Sequence, residues 1–181
     1  MTVSNRMNLI LACLIFLSSI ASSQDIDFKS SNFKRDKAGL KLAKQNISIA
    51  DEIRKNGIER MLEKQDAYII LSQAVFYYNK AQDFNPNNAE LNYKIGSSLL
   101  FTNQKERAYD YLVRARELNS DLPADFLFFY GMALHLKGDY TGAIEQFEEF
   151  TSTAKSKVYS IYEEFTKKYI NECKGVNKIL D

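Results

Sequence analysis

From Asn88 to Pro123 the apolar residues fall into two helical stretches, separated by the polar turn Thr102–Asn103. The first stretch carries Ile95-Gly96-x2-Leu99, and the second carries Ala108-x3-Leu112-x2-Ala115. The same arrangement returns on both sides. Ala74-x3-Tyr78-x2-Ala81 precedes its counterpart by 34 residues, and Tyr130-Gly131-x2-Leu134 with Ala143-x3-Phe147 follows by 35. Gly or Ala at such positions lets two antiparallel helices approach closely, while the large residues fill the groove between them. The pattern predicts an all-α chain of helical hairpins in about three repeats, near 55–88, 89–123 and 124–157.

Outside the repeats the periodicity predicts a helix at each end. Leu40, Ala43, Ile47, Ala50 and Ile53 form one stripe from about Asp36. Asn56-Gly57 is a plausible stop for it, since Gly takes the left-handed C′ position cheaply. The pattern resumes at Ile58, Met61 and Leu62, so the break falls either at Gly57 or at Gln65-Asp66. Residues 24–35 are polar and aperiodic and read as a flexible lead-in. Val158, Ile161, Phe165, Tyr169 and Cys173 form a second stripe, a capping helix over about 156–174 that Gly175 ends. Among the turns, Asn87 with Glu90 resembles a capping box. Pro123 belongs in a first helical turn, and Lys137-Gly138-Asp139 joins two helices.

The residues that repeat in phase, with a period of about 34 residues, resemble the tetratricopeptide repeat. Asn92 and Leu127 stand where that family usually carries Trp, and Phe150 replaces a small residue. The resemblance implies a superhelix over 36–181 whose first helices line an inner groove. By repeat position the groove would present Glu90, Tyr93, Ser97, Leu100 and Phe101, then Asp125, Phe128, Met132, His135 and Leu136. The expected partner-binding set is Tyr93, Ser97, Phe101, Phe128, Met132 and His135, an aromatic and apolar lining suited to a peptide or helix. The competing reading is that these side chains pack on the N-terminal helix or on a further domain. Family members that clamp a C-terminal carboxylate place Lys, Asn and Arg here. This chain has Tyr93, Ser97, Asp125 and Phe129 at the matching sites, which argues against that use.

Composition narrows the function further. The full chain has 181 residues, with 24 Lys and Arg against 23 Asp and Glu and no long run of either sign. Neither the basic stripe of a nucleic-acid binder nor a polybasic membrane patch is evident along the sequence. Residues 1–23 read as a secretion signal: Arg6, then the apolar run Leu9–Ile20, then Ala21-Ser22-Ser23 before Gln24. Ile10-Leu11-Ala12-Cys13 also resembles a lipobox, so a lipid-anchored outer-membrane protein is the alternative. With the signal removed only Cys173 remains, which leaves no internal disulfide and no transmembrane span.

Catalytic chemistry finds little purchase. One histidine and one mature cysteine cannot build a His/Cys zinc site. Cys173 lies on an apolar stripe, which favours a buried structural role. No glycine-rich phosphate loop is present, and Glu148-Glu149 and Glu163-Glu164 are neighbours on helix surfaces. The expectation is a non-enzyme without cofactor.

Three segments, NPNNAELNYKIG, LPADFLFFYGMALHLKGDYTGAIEQFEEF and KKYINECKG, are similar to the N-terminal repeat region of certain Gram-negative envelope proteins. In those proteins the repeats precede a β-propeller and an outer-membrane-protein-A-like domain, and some members belong to the type IX secretion apparatus. The resemblance implies a periplasmic scaffold, at the outer membrane or in a secretion assembly, that binds a protein or peptide of the cell envelope. It leaves both a fragment of a longer protein and a stand-alone adaptor open.

Overall fold

A computed structural model of the chain describes residues 24–180. The expected signal and Cys13 lie outside the described residues. Seven α-helices follow: α1 Lys37–Leu62, α2 Tyr68–Gln82, α3 Ala89–Leu99, α4 Ala108–Leu118, α5 Phe126–Lys137, α6 Tyr140–Thr153 and α7 Ser156–Leu180. A single 3-10 turn, Lys105–Arg107, leads into α4. No strand occurs among the described residues. The helices pack in pairs, α1 with α2, α3 with α4 and α5 with α6, and α7 lies on α6 and α5.

The small residues act where the spacing put them. A Cβ on Gly96 would sit 2.7 Å from Leu112 Cγ, and one on Gly131 would sit 2.8 Å from the Phe147 ring. Both pairs are sixteen residues apart, so the second and third hairpins close in the same way. Ala74, Ala108 and Ala143 are all fully buried. Phe150 fills its site instead of a small residue, with its ring 5.9 Å from Phe128 and 6.0 Å from Tyr162.

The first hairpin is built differently. α1 runs through Gly57 without a break, so Gly57 is no helix stop. A Cβ there would lie 2.5 Å from Leu71 Cδ2, so Gly57 makes room for α2. Ala43, Ala50 and Gly57, seven residues apart, form the buried seam of this longer pair. The helix ends at Glu63, where Lys64 turns left-handed with φ 59°. Gly138 does the same work between α5 and α6, with φ 81°, and Asp139 caps α6 by accepting from Gly142 N–H.

Three other expectations need correction. Asn88, not Asn87, caps α3, and its side chain accepts from Leu91 N–H. α5 starts at Phe126, because Phe126 N–H donates to Pro123 O and closes a turn first. α7 continues past Gly175 to Leu180.

Residues 24–35 are irregular but fastened down. Ile26 N–H donates to Asn87 O at 2.7 Å, and Asn85 Nδ2 donates back to Ile26 O at 2.7 Å. Asp25 Oδ1 accepts from Ala89 N–H at 2.9 Å, and its Oδ2 accepts from Asn119 Nδ2 at 3.3 Å. One carboxylate thus satisfies an orphan donor at the start of α3 and ties it to the end of α4. Phe28 and Phe33 cluster with Phe84, the closest centroids being 4.8 Å apart. This strap is not the flexible lead-in that its composition suggested.

Candidate functional site

The first helices of the pairs, α1, α3 and α5, interlock in sequence, and α7 extends the row. From α1, Arg54 Nη2 donates to Tyr93 Oη at 3.2 Å and to Ser97 Oγ at 3.0 Å. Its guanidinium carbon also stands 5.9 Å from the Phe129 ring centre, a cation–π distance. From α3, Tyr93 meets Phe126 and Phe129 of α5 at 6.1 and 6.2 Å between centroids. From α5, Phe128 lies against Tyr162 of α7 at 4.6 Å. Tyr162 Oη then donates to Asp125 Oδ2 at 3.2 Å, which latches α7 to the start of α5. Burial pushes the Tyr93 and Tyr162 phenols well up from their ordinary values, since a phenolate there would lose its hydration.

This interlock decides the fate of the six expected groove residues. Tyr93, Ser97, Phe128 and Met132 are buried, Ser97 and Phe128 completely. Their repeat positions face the next helix in the row rather than an open channel, so the expectation of an open groove is corrected at these four. His135 is half-buried at the other end of α5. Its Nε2 lies 3.9 Å from Glu172 Oε2, and its ring is 5.5 and 5.2 Å from Tyr140 and Tyr169. It stands apart from Phe101. Of the other inner-face residues, Leu100 and Leu136 part company, Leu100 being buried and Leu136 45% exposed.

Phe101 alone of the six lines a sizeable cleft, of about 570 Å³. Its ring meets Phe129 edge-on at 6.4 Å from below. Met61, Ala67, Tyr68 and Phe165 complete an apolar lining. Lys64, Asp66, Glu164 and Lys168 form the charged rim, and an ion pair of Lys64 with Glu164 ties the α1–α2 turn to α7. Sequence reasoning missed this cleft because its walls come from segments about a hundred residues apart, and no local pattern marks the meeting. The volume falls within the usual range for ligand pockets, roughly 300–1,000 Å³. An apolar floor with charges at the mouth suits one or two apolar side chains of a partner segment.

Among the described residues no group of three or more His, Cys, Asp or Glu is arranged to hold a metal ion. No described helix is long and apolar enough to cross a membrane. Cys173 is fully buried on α7, and burial raises its thiol above the ordinary value.

Among the described residues, the chain is an all-α arrangement of paired helices with an apolar, charge-rimmed cleft just past the end of α3. No family model matches the chain, and no curated protein matches it.

Proposed function

We propose that this chain is a tetratricopeptide-type interaction module of the cell envelope. It acts as a scaffold that seats a peptide or helix of another envelope protein. The repeat reading is supported by the matching closures Gly96–Leu112 and Gly131–Phe147 and by the buried alanines in phase. The site is the Phe101 cleft, because Tyr93, Ser97, Phe128 and Met132 of the expected inner lining are spent on holding the helices to one another. The observation that carries the proposal is the apolar floor of Met61, Ala67, Phe101 and Phe165 beneath a ring of charges. The exported, periplasmic setting rests on the signal-like residues 1–23 and on the sequence resemblance to envelope repeat regions.

A photo-crosslinking residue at Tyr68, on the rim and 41% exposed, tests the site in the native host. A discrete crosslinked product is expected. Phe101→Ser in the same chain should abolish it while leaving the melting curve within a few degrees. No product, or an equal yield from a crosslinker at exposed Leu136, would overturn the assignment.

A further inference from the structure

We propose that the exposed face of the first half of α1 docks on an anionic lipid surface. Between Lys37 and Ala50 there are three lysines and no acidic residue. At 100° per residue, Lys37, Lys41 and Lys44 fall within an arc of about 60°. The same wheel places Ile49 and Leu42 about 80° and 100° beyond Lys41, on the exposed part of the helix that continues from the lysines. Both are exposed, Leu42 by 60% and Ile49 by 42%. The buried residues of this half, Leu40, Ala43, Asn46 and Ala50, occupy the remaining arc, with Leu40 at the edge beside Lys44.

The lysines are free to meet a partner. None of Lys37, Lys41 and Lys44 makes an ion pair among the described residues. The acids nearby have other commitments: Asp36 caps the first turn of the helix, Asp27 pairs with Lys29, and Glu90 and Asp51 pair with Lys94. Lys34 and Arg35 stand exposed just before the helix and add to the same pole. In a chain of almost balanced charge, residues 34–50 carry five basic side chains against one acid, Asp36.

The face is also held rigidly. Asp36 Oδ1 accepts from Gly39 N–H at 2.7 Å and fixes the first turn. The Phe33–Phe84 contact pins the segment before it. Lys37, Lys41 and Lys44, with Ser30 and Ser48, surround a shallow recess of about 400 Å³ over Leu40, which fits a phosphate-bearing headgroup. Lysines reaching headgroup phosphates beside aliphatic side chains that enter the acyl boundary is the division of labour of an interfacial helix. An acidic protein would use the lysines but would give Leu42 and Ile49 no comparable gain.

The test is co-sedimentation of the full chain with vesicles of phosphatidylcholine alone and with added phosphatidylglycerol. The ratio of anionic to neutral partition is the readout, because purely apolar contributions enter both partitions and the variants below differ only in charge. That ratio is expected to exceed one and to fall as salt rises. Lys37→Gln/Lys41→Gln/Lys44→Gln should lower it by more than about tenfold, because each lysine near an anionic surface adds to the attraction. Lys155→Gln/Lys157→Gln/Lys178→Gln, with the same change in net charge on exposed sites elsewhere, should leave it nearly intact, and circular dichroism confirms that both variants keep their helices. A ratio near one, or an equal fall in both variants, overturns the proposal. So does binding of polyglutamate that the α1 triple variant loses while its vesicle ratio holds, which would make the face an acidic-protein site.

Discussion

Phe128 and Tyr162 lie with their ring centres 4.6 Å apart, and Phe128 has no exposed surface. The pair joins α5 to α7, and Phe129, Phe147 and Phe150 close around it. A residue so placed stabilises the fold before it can serve a partner. Phe128→Ala should therefore cost about 3–5 kcal/mol, as much as Phe147→Ala. Urea denaturation of the two variants measures the comparison directly. If Phe128→Ala is much the milder, α7 does not cover α5 as described, and the inner face is open.

The sequence made the hairpins legible because their closures are local. Gly96 and Leu112, or Gly131 and Phe147, belong to neighbouring helices, and one period displays both. Gly57 was misleading for a physical reason: Asn-Gly looks the same whether it ends a helix or clears space for Leu71. The filled inner face was illegible because repeat position tells which way Tyr93 or Phe128 points, and not what arrives there. Arg54 lies 39 residues before Tyr93, and Tyr162 lies 34 after Phe128, both outside the motif that placed them. The strap failed similarly. Asp25 finds its partners at Ala89 and Asn119, so its hydrogen bonds leave no local trace. The lysine face of α1 is diluted in linear order and emerges only once the chain is coiled.

The glycines offer a contrast that tests the packing against the alternative of simple helix propensity. At Gly96 an added side chain meets Leu112 Cγ at 2.7 Å and the Ala108 carbonyl oxygen at 3.1 Å, and backbone does not move aside cheaply. Gly96→Leu should overpack the α3–α4 hairpin and cost about 1–3 kcal/mol. At Gly175 a Cβ meets nothing within 4 Å, inside a helix that continues for five more residues. Gly175→Ala should stabilise by up to about 1 kcal/mol through helix propensity alone. Thermal melts of the two variants should move in opposite directions. A parent-like melt for Gly96→Leu would break the described pairing.

Alkaline pH should unfold this protein from within. Tyr78, Tyr93, Tyr162 and Tyr169 all have their phenols raised above 10.0, chiefly by burial, because the charged phenolate would lose its water. In the unfolded chain they ionise near 10.0, while in the folded chain they stay protonated at that pH. The folded state then binds more protons than the unfolded one, so its stability falls as pH rises. The contribution is whole below about pH 10 and is lost progressively above it, towards the folded values. Denaturation midpoints should therefore drop through this window, and tyrosinate absorbance from the buried set should develop together with loss of helix rather than before it. Tyr169→Phe isolates the effect. Its phenol is raised by burial, with the Glu172 carboxylate adding to the shift, so removing the hydroxyl deletes one group whose ionisation the fold resists. The variant should lose less stability than the parent between neutral and alkaline pH. An identical loss in both would mean that Tyr169 titrates freely, and that α7 does not bury it against Phe147, whose ring centre lies 5.6 Å away.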